Sequence, residues 1–265
     1  MSERTPPPGA PAGPRGRAAW PKAGGGGTLE WNGKTSGRYY CLAASGMPLV
    51  GSGGWKSKDG NERAVHGAVL AIQRALNRRL KIKLDINGTF DRPTAAAASR
   101  FRRTIGQDSW GGIGPYTAKA LWLPELQALC HKRGIEQWEV VCGVVQNESA
   151  WDPGAVGYIK PVDIGLAQIN GEAHPDMSER ERLSPTFSFN FIISYLLNAM
   201  DRLDGNLDHA IVSYNLGITG AKRWLAAGAP EMYTPPGSVP RNVLAYVDRI
   251  KNACIEGSPT VSSWT

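Results

Sequence analysis

Several things are scarce in this chain of 265 residues, and each absence narrows what it can be. No apolar run approaches the roughly 20 residues that a membrane-spanning helix requires. No insertion into a membrane is therefore expected. The first twenty residues, MSERTPPPGAPAGPRGRAAW, contain no apolar core of the kind a secretory signal carries. The four cysteines, Cys41, Cys130, Cys142 and Cys254, are spread along the chain without a CxxC pair or zinc-finger spacing. They read as reduced core thiols in a protein made without an export signal. His66, His131, His174 and His209 are scattered as well, so neither a metal site nor a cofactor is expected. Acidic residues are outnumbered, 23 against 30 Lys and Arg, which leaves a formal charge of +7 and a pI near 9.3. A cationic surface favours anionic partners: nucleic acid, acidic membranes or an acidic cell wall.

What is present describes a globular protein. Apolar residues make up 42% of the chain, and mean hydropathy is -0.30, which fits a folded domain with a core. Residues 1–27 are rich in Pro, Gly and Ala and read as a flexible, weakly basic tail. Residues 28–62 hold short β-branched and aromatic runs, TLEW, GRYYCLA and MPLV, between Gly-rich turns, and read as a strand-containing segment of no legible role.

Residues 63–123 read as a compact helical unit. Val69, Ile72, Leu76 and Leu80 fall on one helical face. A second helix starts at Pro93 and is expected to bury Phe101; a third starts near Pro115 and carries Ala118, Leu121 and Trp122. The unit holds an internal echo. DINGTFDRPTAAA (Asp85 to Ala97) and DSWGGIGPYTAKA (Asp108 to Ala120) share a Gly turn, an apolar residue (Phe90 or Ile113) and a Thr at a helix mouth (Thr94 or Thr117). A calcium loop is excluded at DxNG, because the later acidic ligands are missing.

The ordered set of helix, turn motif, helix, turn motif and helix resembles the small peptidoglycan-binding domain found beside many bacterial and phage wall enzymes. That resemblance implies a wall-anchoring role for the segment. Between Glu62 and Arg103 the basic side chains are Arg63, Arg74, Arg78, Arg79, Lys81, Lys83, Arg92, Arg100, Arg102 and Arg103, against only Glu62, Asp85 and Asp91. Helical arginines can also sit on phosphates, but no recognition-helix pattern is present, so nucleic acid is not the expected partner.

From residue 124 to residue 256 the chain reads as mostly helical. LPELQALCHKRG is an amphipathic helix ended by Gly134. The next helix is expected from about Glu136 until Asp152-Pro153-Gly154 stops it. Glu148 then falls in the last turn of an apolar helix, within GVVQNESAWDP. Apolar surroundings and the negative helix end both disfavour a carboxylate there. A Glu that keeps its proton near neutral pH is the requirement for acid-catalysed glycosidic cleavage. Two further polar clusters follow apolar stretches: Gln168 and Asn170 in DIGLAQIN, and Tyr214 and Asn215 in LDHAIVSYNLG before Gly217. They suggest one shared cleft for a polar ligand.

These motifs resemble the lytic transglycosylase family with the goose-type lysozyme-like fold: Glu148-Ser149, then Gly165-Leu166-Ala167-Gln168, then Tyr214-Asn215. PTFSFNFIISYLL, with Asn190, is similar to the family's long buried helix, and AYVDRI to its closing Tyr-Val element. Ala167 stands where Met is commoner, and Ser213 where Ala is usual. The resemblance implies a mainly α, α+β lysozyme-like catalytic domain acting on peptidoglycan glycan strands between N-acetylmuramic acid and N-acetylglucosamine. It implies that Glu148 is the acid and then the base, that Ser149 orients its carboxyl, and that Gln168 bonds sugar. Tyr214 would lie against Glu148, Asn215 would hold an N-acetyl group, and Asn170 and Tyr246 would line the cleft.

Asp163 leaves the outcome open at this point. The stretch also looks like the one in animal lysozymes where a second carboxylate precedes the same residues. Two carboxylates permit hydrolysis, whereas one fits attack by the muramoyl 6-hydroxyl to leave a 1,6-anhydro end. The transglycosylase outcome is the expectation, with Asp163 structural or touching substrate. A wall-binding unit, a lysozyme-like domain and the missing signal together suggest a monomeric phage endolysin. It would be held in the host cytoplasm until release, or else be virion-associated. A wall-binding protein that has kept the fold without activity is the rival class.

Overall fold

The computed structural model describes residues 38–42, 48–52, 62–109, 111–157 and 163–253. TLEW and both chain ends lie outside these residues. Among those described, the protein is mainly α, with three two-stranded antiparallel sheets. The first sheet pairs β1 (Arg38–Leu42) with β2 (Pro48–Ser52), Tyr40 opposite Val50. These two strands are GRYYCLA and MPLV of the sequence.

Helices α1 (Glu62–Leu80), α2 (Arg92–Thr104) and α3 (Pro115–Lys132) follow. The turn motifs between them are locked by side chains. In the first copy, Gln73 of α1 is fully buried and its amide donates to Thr94 Oγ1 (3.1 Å), Asn87 Oδ1 (2.9 Å) and the Thr89 carbonyl (2.9 Å). In the second, buried Arg102 of α2 donates to Thr117 Oγ1 (2.7 Å) and the Asp108 carbonyl (2.7 Å) and pairs with the Asp108 carboxylate. The echo in the sequence is thus an echo in structure, with Phe90 and Ile113 each 1% exposed beneath the turns. Asp91 caps α2 through the Thr94 N–H, and Pro93 occupies the first turn, where its missing N–H costs nothing.

The expectation of a helix break near Leu123 is corrected. One helix, α3, runs from Pro115 to Lys132 with Pro124 inside it. Proline in a helix interior forfeits one backbone bond. Here Leu121, Trp122, Leu123 and Leu126 are all buried around it, and that packing outweighs the loss. Trp122 and Trp151, 1% and 0% exposed, are the largest fully buried side chains among the described residues, each worth on the order of 4–6 kcal/mol by area.

Helix α4 (Trp138–Ser149) ends three residues earlier than the Asp-Pro signal implied. Ala150 (φ 50°) and Trp151 (φ 64°) turn left-handed and close the helix before the proline is reached. A two-residue hairpin follows, β3 (Asp163–Ile164) with β4 (Ile169–Asn170). After the short α5 (Glu179–Arg182) comes α6 (Pro185–Arg202), the long central helix, which buries Phe189, Ile192, Ile193 and Leu196. Helix α7 (Leu207–Ala226) packs on it; the backbone is non-helical at Gly217 (φ 72°, ψ 158°), where the first helical segment closes as the sequence implied and a second begins across a kink. A last hairpin, β5 (Met232–Tyr233) with β6 (Arg241–Asn242), leads into α8 (Val243–Ala253). Buried apolar side chains form a main cluster from Tyr40 to Ile250 and a small second one of Ala64, Ile164 and Leu183. No helix among the described residues is long and apolar enough to cross a membrane.

The reduced-thiol expectation is also corrected. Cys130 is a buried free thiol, but Cys142 is disulfide-bonded. Spacing rules find cysteines that are close along the chain, whereas only the fold brings distant ones together.

Candidate functional site

Glu148 lies one residue from the C-terminus of α4, half-buried, beneath buried Val144 and Val145. Two donors converge on its Oε1: the hydroxyl of Tyr246 at 3.0 Å and the Asn147 amide at 3.4 Å. Tyr246 belongs to α8 and is 4% exposed. It reaches Glu148 because α4 and α8 touch backbone to backbone. A Cβ on Gly143 would lie 1.9 Å from the Ile250 carbonyl oxygen, so only glycine fits at this crossing.

The chain just after Glu148 is bound to the hairpin of DIGLAQIN. Val156 bridges Ile164, and the Gly165 N–H donates to the Ala155 carbonyl at 2.9 Å. Gly165 (φ 77°) admits the Arg182 carbonyl, which a side chain would strike at 1.9 Å. Gln168 also turns left-handed (φ 48°), and its amide donates to the Gly165 (2.9 Å) and Ala155 (3.3 Å) carbonyls. Tyr214, half-buried, donates its hydroxyl to the Ala167 carbonyl at 2.8 Å. The three expected polar clusters are therefore linked: α4 to the hairpin by backbone bonds, and the hairpin to α7 by Tyr214.

The structure gives each of these side chains intramolecular partners. Tyr246 donates a hydrogen bond to Glu148, and Tyr214 donates one to the Ala167 carbonyl. The Ser149 hydroxyl donates to the Val145 carbonyl of its own helix. Asn170 donates to Asp163 Oδ1 at 2.9 Å across the hairpin, while its own Oδ1 accepts from the Glu172 and Ala173 N–H groups. Asn190 is bonded within α6, to the Thr186 carbonyl. Asn215 Oδ1 accepts from Arg241 at 2.9 Å, and Arg241 also reaches Ser238. Asn147 and Arg241 escaped the reading of the sequence. Asn147 stands inside the quoted motif, but Arg241 lies on a strand too short to show a period.

Burial shifts two other groups of this half of the chain. Tyr195 is held above the ordinary tyrosine range by burial, although its hydroxyl donates to the Ser213 carbonyl at 2.6 Å. Its ring meets that of Tyr214 edge-on at 5.0 Å. Burial pushes the Cys130 thiol up to about 11, with Glu139 adding to the shift, so it is no nucleophile.

The family model of the transglycosylase SLT domain matches residues 127–230. No similar curated protein and no similar solved structure was found. The matched segment contains Glu148, the hairpin with Gln168, and Tyr214 with Asn215; Arg241 and Tyr246 lie beyond it. With a buried-edge carboxyl, the linked hairpin and the tyrosine helix all inside the match, this chain carries the catalytic domain of a peptidoglycan lytic transglycosylase.

Proposed function

We propose that Glu148 is the acid and base of this enzyme, that the bond cleaved joins N-acetylmuramic acid to N-acetylglucosamine, and that the product carries a 1,6-anhydro end. The observation that carries the reading is the pair of donors on Glu148 Oε1. A protonated carboxyl whose Oε1 accepts from Tyr246 carries its proton on Oε2, from which it is donated. In the step proposed, that proton goes to the bridging oxygen as the bond from muramoyl C1 breaks. The muramoyl 6-hydroxyl attacks C1, and the carboxylate takes its proton. Glu148 ends as it began, and no water is consumed.

Asp163 supports the anhydro outcome over hydrolysis. Its carboxylate accepts from Asn170 across the hairpin, the role of a clasp between two short strands. Gln168, Asn170, Tyr214 and Asn215 shape the glycan groove, with Asn215 oriented by Arg241 for an N-acetyl group.

At the level of the whole chain we read a wall-lysing phage endolysin, monomeric and held in the host cytoplasm until release, with a virion-borne lysin as the second placement. Residues 63–123 would hold the wall through their basic helices while the Glu148 domain cuts. A shared chain raises the effective concentration of the cutting site at an insoluble substrate. The test is clearing of a wall suspension by wild type and by Glu148→Gln, with masses of the released muropeptides. Loss of clearing in the variant, and products lighter by one water than reducing ends, are expected. Equal clearing would remove Glu148 from the mechanism, and reducing ends throughout would make the enzyme a hydrolase.

A further inference from the structure

The hairpin β1–β2 lies far upstream of the segment that matches the transglycosylase domain, yet one of its side chains reaches the turn behind Glu148. Tyr40 is 1% exposed. Its backbone exchanges both hydrogen bonds with Ile113, at 3.0 and 2.9 Å, so the second turn motif fixes its position. Its hydroxyl donates to Asp152 Oδ1 at 2.6 Å, a buried bond between residues 112 apart in sequence.

Asp152 is 5% exposed and stands four positions after the proposed acid. The same Oδ1 accepts from the Gly154 N–H at 2.8 Å, and the Asp152 N–H donates to the Ser149 carbonyl at 3.0 Å. Between Ser149 and Asp152 lie Ala150 and Trp151, both left-handed without being glycine. Such residues cost free energy and persist only where the surroundings hold them. Gly154 is shaped for the same purpose: a Cβ there would come within 2.7 Å of the Tyr40 hydroxyl and 3.0 Å of the Ala64 carbonyl. Strand β1 and helix α1 thus close on the turn that ends α4.

We infer that Tyr40 is a positioning residue for the glycosidic cleavage: through Asp152 it holds the strained turn that aims the Glu148 carboxyl, so the N-terminal hairpin completes the active site. A hydrogen bond to a buried carboxylate is of the strong, charge-assisted kind. Removing the hydroxyl takes one of the two donors named above from Asp152 Oδ1 while leaving the ring in its packed place. The turn gains freedom, and the carboxyl one helical step away spends less time in its productive orientation. The inference rests on Glu148 being the acid.

The experiment uses the full chain and soluble glycan fragments, comparing wild type with Tyr40→Phe, Asp152→Ala and the double variant, and with Glu148→Gln as reference. Tyr40→Phe is expected to lower kcat about tenfold with KM within twofold, and to move the alkaline limb of the kcat pH profile. Asp152→Ala should lose at least as much, and adding Tyr40→Phe to it should cost nothing more, because the two act through one bond. If Tyr40→Phe does not fold, Asp152→Asn and Asp152→Ala take its place. The amide still accepts from the tyrosine and should keep most of the activity that alanine loses; equal loss in both overturns the inference. An unchanged kcat and pH profile in Tyr40→Phe, or additive losses in the double variant, also overturns it. Activity surviving in Glu148→Gln would instead defeat the reading of the acid itself.

Discussion

Replacing Gly143 by alanine tests whether the α4–α8 crossing sets the geometry of Glu148. Gly143 lies inside α4, and on propensity alone alanine would stabilise the helix by about 1 kcal/mol. The structure predicts the opposite sign. The new methyl would lie 1.9 Å from the Ile250 carbonyl oxygen, 2.8 Å from its carbonyl carbon and 3.3 Å from its Cα. All three atoms are backbone, so no rotamer change relieves the clash and α8 must retreat by about 1 Å or more. Overpacking of this kind costs about 1–3 kcal/mol. Tyr246 stands one turn before Ile250 on the same helix, and its bond to Glu148 is 3.0 Å long. A retreat of that size takes it past hydrogen-bonding distance. Thermal unfolding should show a melting temperature lower by about 5 °C, at a few degrees per kcal/mol for a chain of this size. Release of muropeptides should fall about tenfold, the equivalent of 1.4 kcal/mol. A melting temperature above wild type, with undiminished release, would refute the close crossing and the part assigned to α8.

Three further outcomes can be checked. Tyr246→Phe should lower kcat by about tenfold and leave KM within twofold, measured on soluble glycan, because the lost donor serves the acid and not the sugar. Lys119 is 3% exposed, and burial lowers its pKa from 10.5 to about 8. The unfolded chain therefore binds more protons than the folded one between those values, and stability should rise with pH across that window. The gain, about 3 kcal/mol by linkage, should be absent from Lys119→Met in denaturant titrations at pH 7.5 and pH 10.5. Reducing the Cys142 disulfide should destabilise the wild type by about 2–4 kcal/mol, while Cys142→Ser should melt at one temperature with or without reductant.

The helices could be read from the sequence because their apolar faces recur with helical spacing. Val69, Ile72 and Leu76 show this in α1, and Phe189, Ile192 and Leu196 in α6. The doubled Gly-turn motif was legible too, since Phe90 and Ile113 are buried for the reason the pattern implied. Helix ends were harder. The Asp-Pro pair at 152 and 153 pointed to a stop, but the chain turns at Ala150, a residue with no stated preference for left-handed backbone. The helices read on either side of Leu123 are one, because packing holds α3 together across Pro124. The site residues on motifs could be listed, but not which atom meets which. That Tyr246 donates to Glu148 could not be read from the letters, because it follows from the close Gly143 crossing of α4 and α8. Tyr40 and Arg241 carry no local signal, because both act on residues far along the chain.

The unbroken course of α3 has a consequence for how the two halves of the chain can be rearranged. Eighteen residues from Pro115 to Lys132 make a rod about 27 Å long at 1.5 Å per residue. Such a rod transmits rotation as well as distance. Inserting one residue beyond Lys119 would swing everything downstream by about 100° about its axis, whereas inserting a full heptad would nearly restore the angle. Fusions and chimaeras that respect this phase should keep both halves in working alignment, and those cut midway should not.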